Sequence, residues 1–232
     1  MPRGRIVSRR EALIALGSAA GAAVWPFALA RAQAPACIVR PQQTEGPYFL
    51  DTGLERSDIR TDPATGSAEP GVPLRIAFNV SRLDAQGCRA LSDAQVELWQ
   101  CNAHGIYSGV RDHQADARGR AFLRGYQRTN PAGSASFVTI YPGWYPGRTV
   151  HLHFTIRARA TGTRSDVFTS QLYFDDRLSD EIFTQAPYAE RGPRTARNAG
   201  DGIYRRGGAQ LTLAVKPEGK LLAARFDIAL QA

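Results

Sequence analysis

The sequence predicts an all-β fold, an antiparallel β-sandwich of about seven to eight strands with long loops and one short helix. Three observations carry this. Apolar and polar residues alternate singly in short runs such as Leu74–Val80 and Val150–Ile156, the period of a half-buried strand. Turn formers, 22 Gly and 14 Pro among 232 residues, punctuate the chain between those runs. No internal repeat, low-complexity tract or coiled-coil heptad interrupts the pattern, and the length suits one sizeable domain.

The first 32 residues stand apart. Arg3, Arg5, Arg9 and Arg10 precede the weakly apolar stretch Ala12–Ala30, and small residues follow at Ala30, Ala32 and Ala34. This is the layout of a secretory signal cut near Ala32, and Arg9-Arg10 makes it the twin-arginine type, so the mature chain is expected in the periplasm or secreted. Gly17, Gly21 and Pro26 argue against a stable membrane anchor. Residues 1–32 hold five Arg and one Glu, so their removal lowers the formal charge from +8 to +4. With no Lys/Arg stripe interleaved with aromatics, nucleic acid is not an expected partner.

Residues 33–73 read as an irregular arm, punctuated at Pro41, Gly46-Pro47, Gly53, Pro63 and Gly71. The sandwich domain is placed at residues 74–232. Leu74, Ile76, Phe78 and Val80 form its first strand, and Gln95–Cys101 the next after a turn at Gln86-Gly87-Cys88. Ala121–Thr129 and Ala135–Tyr141 read as two more, then Val150–Arg157 and Asp166–Phe174. Ser179 is expected to cap a short helix running to Gln185. A closing hairpin is expected from Leu211–Val215 and Leu222–Leu230 around Pro217-Glu218-Gly219. Of the three cysteines, Cys88 and Cys101 bracket one turn-plus-strand unit and are the preferred disulfide pair, leaving Cys37.

The segment from Gly143 to Phe154 holds the chemistry. Val150, Leu152, Phe154 and Ile156 point to one side of a strand, and His151, His153, Thr155 and Arg157 to the other. The two imidazoles therefore share a face, about 6–7 Å apart along the strand, a spacing that lets both reach one metal ion. A His-x-His is also simply the polar side of many half-exposed strands. Here two of only four histidines fall beside Tyr145 and Arg148, after a turn marked by Gly143, Pro146 and Gly147. Tyr141 competes with Tyr145 for any role at that point, and His104 and His113 remain candidates for a different metal site.

Several blocks together, in order, resemble the intradiol ring-cleavage dioxygenases, non-haem Fe(III) enzymes that open catechols between the two hydroxyls. They are Thr44–Phe49, Val96–Tyr107, Ile140–Arg148, His151–Phe154 and Gln171–Phe174. The resemblance spans roughly Cys37 to the C-terminus. It implies Fe(III) held by Tyr107, Tyr145, His151 and His153, with Tyr145 leaving the iron when substrate binds. Arg148 matches the arginine that stabilises charge on the catecholate, and Gln171 a supporting glutamine. Arg148, Gln171 and Tyr145 are thus the residues assigned to the chemistry, with a catechol-type molecule and O2 as partners and a cis,cis-muconate-type diacid as product. The arm is too short and broken for the helical N-terminal region of the catechol-specific branch, so the chain looks closer to the protocatechuate type. It gives no sign of that branch's unlike second subunit, and a homo-oligomer is left open. The rival class is a non-catalytic periplasmic module of transthyretin-like fold. A copper or zinc site is a third option, against which two tyrosines argue for a hard ferric ion.

Overall fold

Alternation along Leu74–Val80 gives β1 (Pro73–Asp84), whose Leu74, Ile76, Phe78 and Val80 are buried. The computed structural model describes residues 37–161 and 164–231. The twin-arginine segment and its cleavage point lie outside these residues. Along the chain follow β2 (Gly87–Ala90), β3 (Gln95–Trp99), β4 (Arg124–Arg128), β5 (Ser134–Ile140), β6 (His151–Thr161) and β7 (Arg164–Tyr173). Then come α1 (Asp176–Ile182), β8 (Lys216–Glu218) and β9 (Leu221–Gln231). No helix among the described residues is long and apolar enough to cross a membrane.

The strands make two sheets, one running β2-β1-β9-β8 with β5 also paired to β1, the other β4-β3-β6-β7. Between them lies the apolar core, where the ring of Phe78 meets those of Phe137, Phe154 and Phe226 at 5.4–6.0 Å. The all-β sandwich is thus the architecture that the alternation predicts. One pairing departs from a purely antiparallel arrangement, because β1 and β9 run parallel from Leu74↔Leu222 to Leu83↔Gln231. Alternation fixes which face of a strand is buried and is silent on strand direction.

Four local expectations are corrected. The strand expected from Ala121 begins at Arg124, because Leu123 takes a left-handed φ of 54° that breaks the extended chain. The helix starts earlier: Asp175 is the N-cap, accepting from the N–H groups of Arg177 and Leu178. Ser179 instead lies inside it and donates its hydroxyl back to the Asp175 carbonyl at 2.9 Å. The first half of the closing hairpin is only β8; Leu211 ends a 3-10 turn, Gly208–Leu211, and is fully buried. The disulfide joins Cys37 to Cys88, with Cα atoms 5.8 Å apart, and Cys101 is a buried free thiol. Cys88 sits on β2 of one sheet, while Cys101 follows β3 of the other and faces the Gly143 carbonyl, so sequence proximity did not mean spatial proximity.

Residues 37–72 contain no regular element, only isolated bridges such as Glu55↔Tyr126 and Asp58↔Val138. From the disulfide this arm passes the β9 edge, where Ala229 donates to the Ile38 carbonyl at 2.8 Å. It then reaches the β7 edge, where Gln43 donates to Thr169 at 3.1 Å. Its next residues run over the outer face of the β4-β3-β6-β7 sheet.

Candidate metal centre

Because Leu152, Phe154 and Ile156 take the core side of β6, His151 and His153 are turned to the outer face, together with Trp99 of β3 and Gln171 and Tyr173 of β7. Loops cover this face, so both imidazoles are nevertheless buried. The turn after Gly143 works as its composition suggests. A Cβ at Gly143 would lie 2.4 Å from the Ala103 carbonyl oxygen, so only glycine lets the two loops approach this closely.

These loops bring Tyr107 and Tyr145 onto the two histidines. Ring centroids are 4.8 Å apart for His151–His153, 5.4 Å for Tyr145–His151, 5.8 Å for Tyr107–Tyr145 and 6.2 Å for Tyr107–His153. Tyr141, the competitor, is elsewhere: its hydroxyl bonds Ser179 at 2.7 Å and its ring packs in the core on Phe174. His113 is exposed and His104 half-buried on the covering loop.

Hydrogen bonds fix the protonation pattern. Nδ1 of His151 lies 2.6 Å from the Thr149 carbonyl, which can only accept, so that nitrogen carries the proton. Nε2 is then the acceptor, and Tyr145 donates its hydroxyl to it at 2.9 Å. Burial, then the charge of Arg148, lowers the pKa of His151 to about 3. Burial and then His151 hold His153 well below its ordinary value. Burial also pushes both phenols up, Tyr107 further through its neighbour Tyr145. The protein alone thus presents two neutral imidazoles and two protonated phenols.

Arg148 is anchored from two sides. Its Nε donates to Asp201 Oδ2 at 2.8 Å and its Nη2 to Gln171 Oε1 at 2.6 Å, leaving Nη1 3.3 Å from His151 Nε2. Gln171 is held in turn, donating to the Thr44 carbonyl at 2.8 Å, while Tyr173 donates towards Gln43 at 2.6 Å. The arm thereby becomes part of the site. A Cβ on Gly46 would stand 3.2 Å from Cε1 of His153, Tyr48 stacks on Tyr107 at 4.5 Å, and Phe49 packs edge-on to Trp99 at 5.1 Å. On the other side of His153, Trp99 stacks at 5.2 Å.

Asp201 and Thr149 carry no signal in the sequence. Asp201 lies in an Arg- and Gly-rich loop, yet it is buried and accepts from Thr149, Arg148, Ile203 and Tyr204. Burial works to raise its carboxyl, but those donors hold it below the usual carboxylate range.

The donor set fits a ferric ion. The Tyr107 hydroxyl and Nδ1 of His153 are buried with no hydrogen-bond partner. Buried polar atoms are almost always paired, so a cluster with two open ones is prepared for something further. Tyr145 Oη and His151 Nε2, 2.9 Å apart, have the spacing of adjacent donors around one ion when bonds run about 2.1 Å. Two phenol oxygens, anionic once deprotonated, favour a hard trivalent cation over Cu or Zn.

The dioxygenase family model, "Dioxygenase_C", matches residues 44–232. The chain is 30% identical over 180 residues to the protocatechuate 3,4-dioxygenase beta chain of Burkholderia cepacia, covering 73% of this chain and 71% of that one. An intradiol ring-cleavage dioxygenase from Tetranychus urticae superposes with a TM-score of 0.70 at 31% identity, over 84% of this chain and 95% of the other. The dioxygenase domain of a dioxygenase–carbohydrate-binding fusion from Streptomyces sp. SirexAA-E gives 0.56 at 29% identity, over 84% and 99%. With a family model spanning the arm from Thr44 and the whole sandwich, this chain belongs to the intradiol ring-cleavage dioxygenase family.

Proposed function

We propose that this protein cleaves a catechol-type ring between its two hydroxyl-bearing carbons, adding both atoms of O2 to give a cis,cis-muconate-type diacid. Fe(III) would be held by Tyr107, Tyr145, His151 and His153. The observation that carries the reading is the convergence of these four side chains on one buried point, with the Tyr107 hydroxyl left unpartnered there. Bound ferric iron supplies Lewis acidity and a template for the diol.

The remaining roles fall to the chain. Tyr145 is the less buried of the two phenols and reaches the centre from a turn, so it is the donor that can yield its place to an incoming diol. In that role its oxygen would take up a hydroxyl proton of the diol. Arg148 cannot swing, because Asp201 and Gln171 hold two of its nitrogens, so Nη1 is aimed at the centre before substrate arrives. A preorganised cation there stabilises negative charge as it builds on the ring. The arm and Trp99 close the site on the His153 side and exclude water.

The same proposal places the enzyme outside the cytoplasm, supported by Arg9-Arg10 and by a disulfide that an oxidising compartment would preserve. The deciding experiment measures iron content, the visible spectrum and diol-dependent O2 uptake, with identification of the product. Expected are a red-brown protein, from tyrosinate-to-iron charge transfer, and a ring-opened diacid. A protein that stays colourless after ferric reconstitution would instead be the non-catalytic binding module.

A further inference from the structure

Behind Tyr107 lies a buried cation that the proposed reaction does not use. Arg124, opposite Trp99 in the β3–β4 register, is 2% exposed. Its Nε donates to the Ser108 hydroxyl at 3.0 Å and its Nη2 to the Ser108 carbonyl at 2.8 Å, while Nη1 is buried with no partner. The guanidinium carbon stands 5.9 Å from the centroid of the Tyr107 ring, within cation–π range. Glu97 influences Arg124 electrostatically, but it is already ion-paired to Arg157 at 2.5 Å.

The backbone around Arg124 is built to keep it there. Leu123 holds the left-handed φ of 54°, a conformation a leucine adopts at some energetic expense. Arg56 donates twice to the Arg124 carbonyl, at 2.8 and 2.6 Å. The Ser108 hydroxyl, accepting from Arg124, donates onward to the Phe122 carbonyl at 2.6 Å. A buried charge without its own counter-ion is strongly unfavourable. Here it faces the ring of a tyrosine whose hydroxyl also lacks a partner, and that ring turns anionic when it serves as a metal donor.

We propose that Arg124 is a positioning residue of the metal centre: it fixes Tyr107 by gripping Ser108 and sets a permanent positive charge against the Tyr107 ring. The proposal rests on the reading of Tyr107 as an iron donor. Removing the charge leaves the phenolate a better electron donor, which lowers the energy of its charge transfer to iron. A residue that merely stapled the loop would alter stability and leave that energy unchanged.

The test uses iron-loaded full-length wild type, Arg124→Gln and Arg124→Lys, comparing the visible band and the rate of iron loss to a chelator. Arg124→Gln should move the band to longer wavelength and release iron roughly ten-fold faster. Arg124→Lys, which keeps the charge but cannot fork onto Ser108, should shift the band less while still releasing iron faster than wild type. If Arg124→Gln does not fold, Arg124→Met, which also removes the charge, decides by the same band shift. Folded variants with the wild-type band and release rate overturn the proposal alone. A wild type that takes up no iron overturns the reading of the centre, and this proposal with it.

Discussion

Asp201 holds Arg148 in place through one oxygen: Oδ2 accepts the arginine Nε at 2.8 Å and the Thr149 N–H at 2.9 Å. Oδ1 meanwhile accepts the N–H groups of Ile203 and Tyr204 at 2.7 and 3.0 Å. All four acceptor positions are used, so an amide cannot replace the carboxylate without turning an NH2 towards other donors. Asp201→Asn is expected to lose about 3 kcal/mol of stability. It should also slow turnover more than it weakens diol binding, because Arg148 is no longer fixed. Urea midpoints and O2-uptake kinetics check both, and wild-type turnover would refute the positioning of Arg148 by Asp201.

The two tyrosines near the turn should separate cleanly. Tyr145→Phe removes a donor to the centre, so it should retain the fold and much of the iron, alter the visible band and slow turnover. Tyr141→Phe loses a buried bond to Ser179, worth about 1 kcal/mol, and should leave colour and activity near wild type. Spectra and melting curves read the pair. Bleaching by Tyr141→Phe in place of Tyr145→Phe would reverse their roles.

Acid should destabilise the iron-free protein well before carboxylates titrate. His151 and His153 stay neutral in the fold, while in the unfolded chain they take up protons near pH 6.5. Stability is therefore full above that pH and falls as pH drops towards 3, where His151 titrates in the folded state as well. By pH 5 each histidine contributes a loss of about 2 kcal/mol. Urea midpoints at pH 7 and pH 5 measure this, and equal midpoints would contradict the neutral, buried imidazoles.

Breaking Cys37–Cys88, which closes a separation of 51 residues, frees the arm that carries Thr44, Gly46 and Tyr48. Cys37→Ser is expected to lose about 4 kcal/mol in the chain-entropy limit. Iron should leave this variant faster, since Gln171 and His153 lose their covering. Chelator-release rates give the answer, and unchanged release would show that the arm stays seated without its tether.

Arg9→Lys with Arg10→Lys should trap precursor in the cytoplasm if export follows the folded-protein route. Fractionation and immunoblotting decide, and normal periplasmic yield would refute the route.

Sequence reasoning reached the sandwich because alternation reports burial directly, as along β1 and β6. It placed His151 and His153 on one face for the same reason. Tyr145 and Arg148 stood out only as neighbours of the histidines at a turn; their roles, and Tyr107 and Gln171 altogether, came through resemblance, because their meeting depends on loops whose paths no local pattern encodes. Asp201, Arg124 and Thr149 were missed because an acid in a polar loop or an arginine at a strand end looks like solvated surface until the fold buries it. Cysteine pairing and the direction of β9 failed alike, since both are choices of partner.

The parallel match of β1 with β9 sets a timetable. A ribosome that has reached Lys220 has made Tyr107, Tyr145, His151 and His153, yet β9, which flanks β1 along ten residue pairs, does not exist. Nor does Ala229, whose N–H seats the arm at Ile38. A strand made after all four candidate donors thus helps to seat a segment made before them, and that segment covers His153. The covering of His153 is therefore finished late, after the four side chains beneath it have already been made.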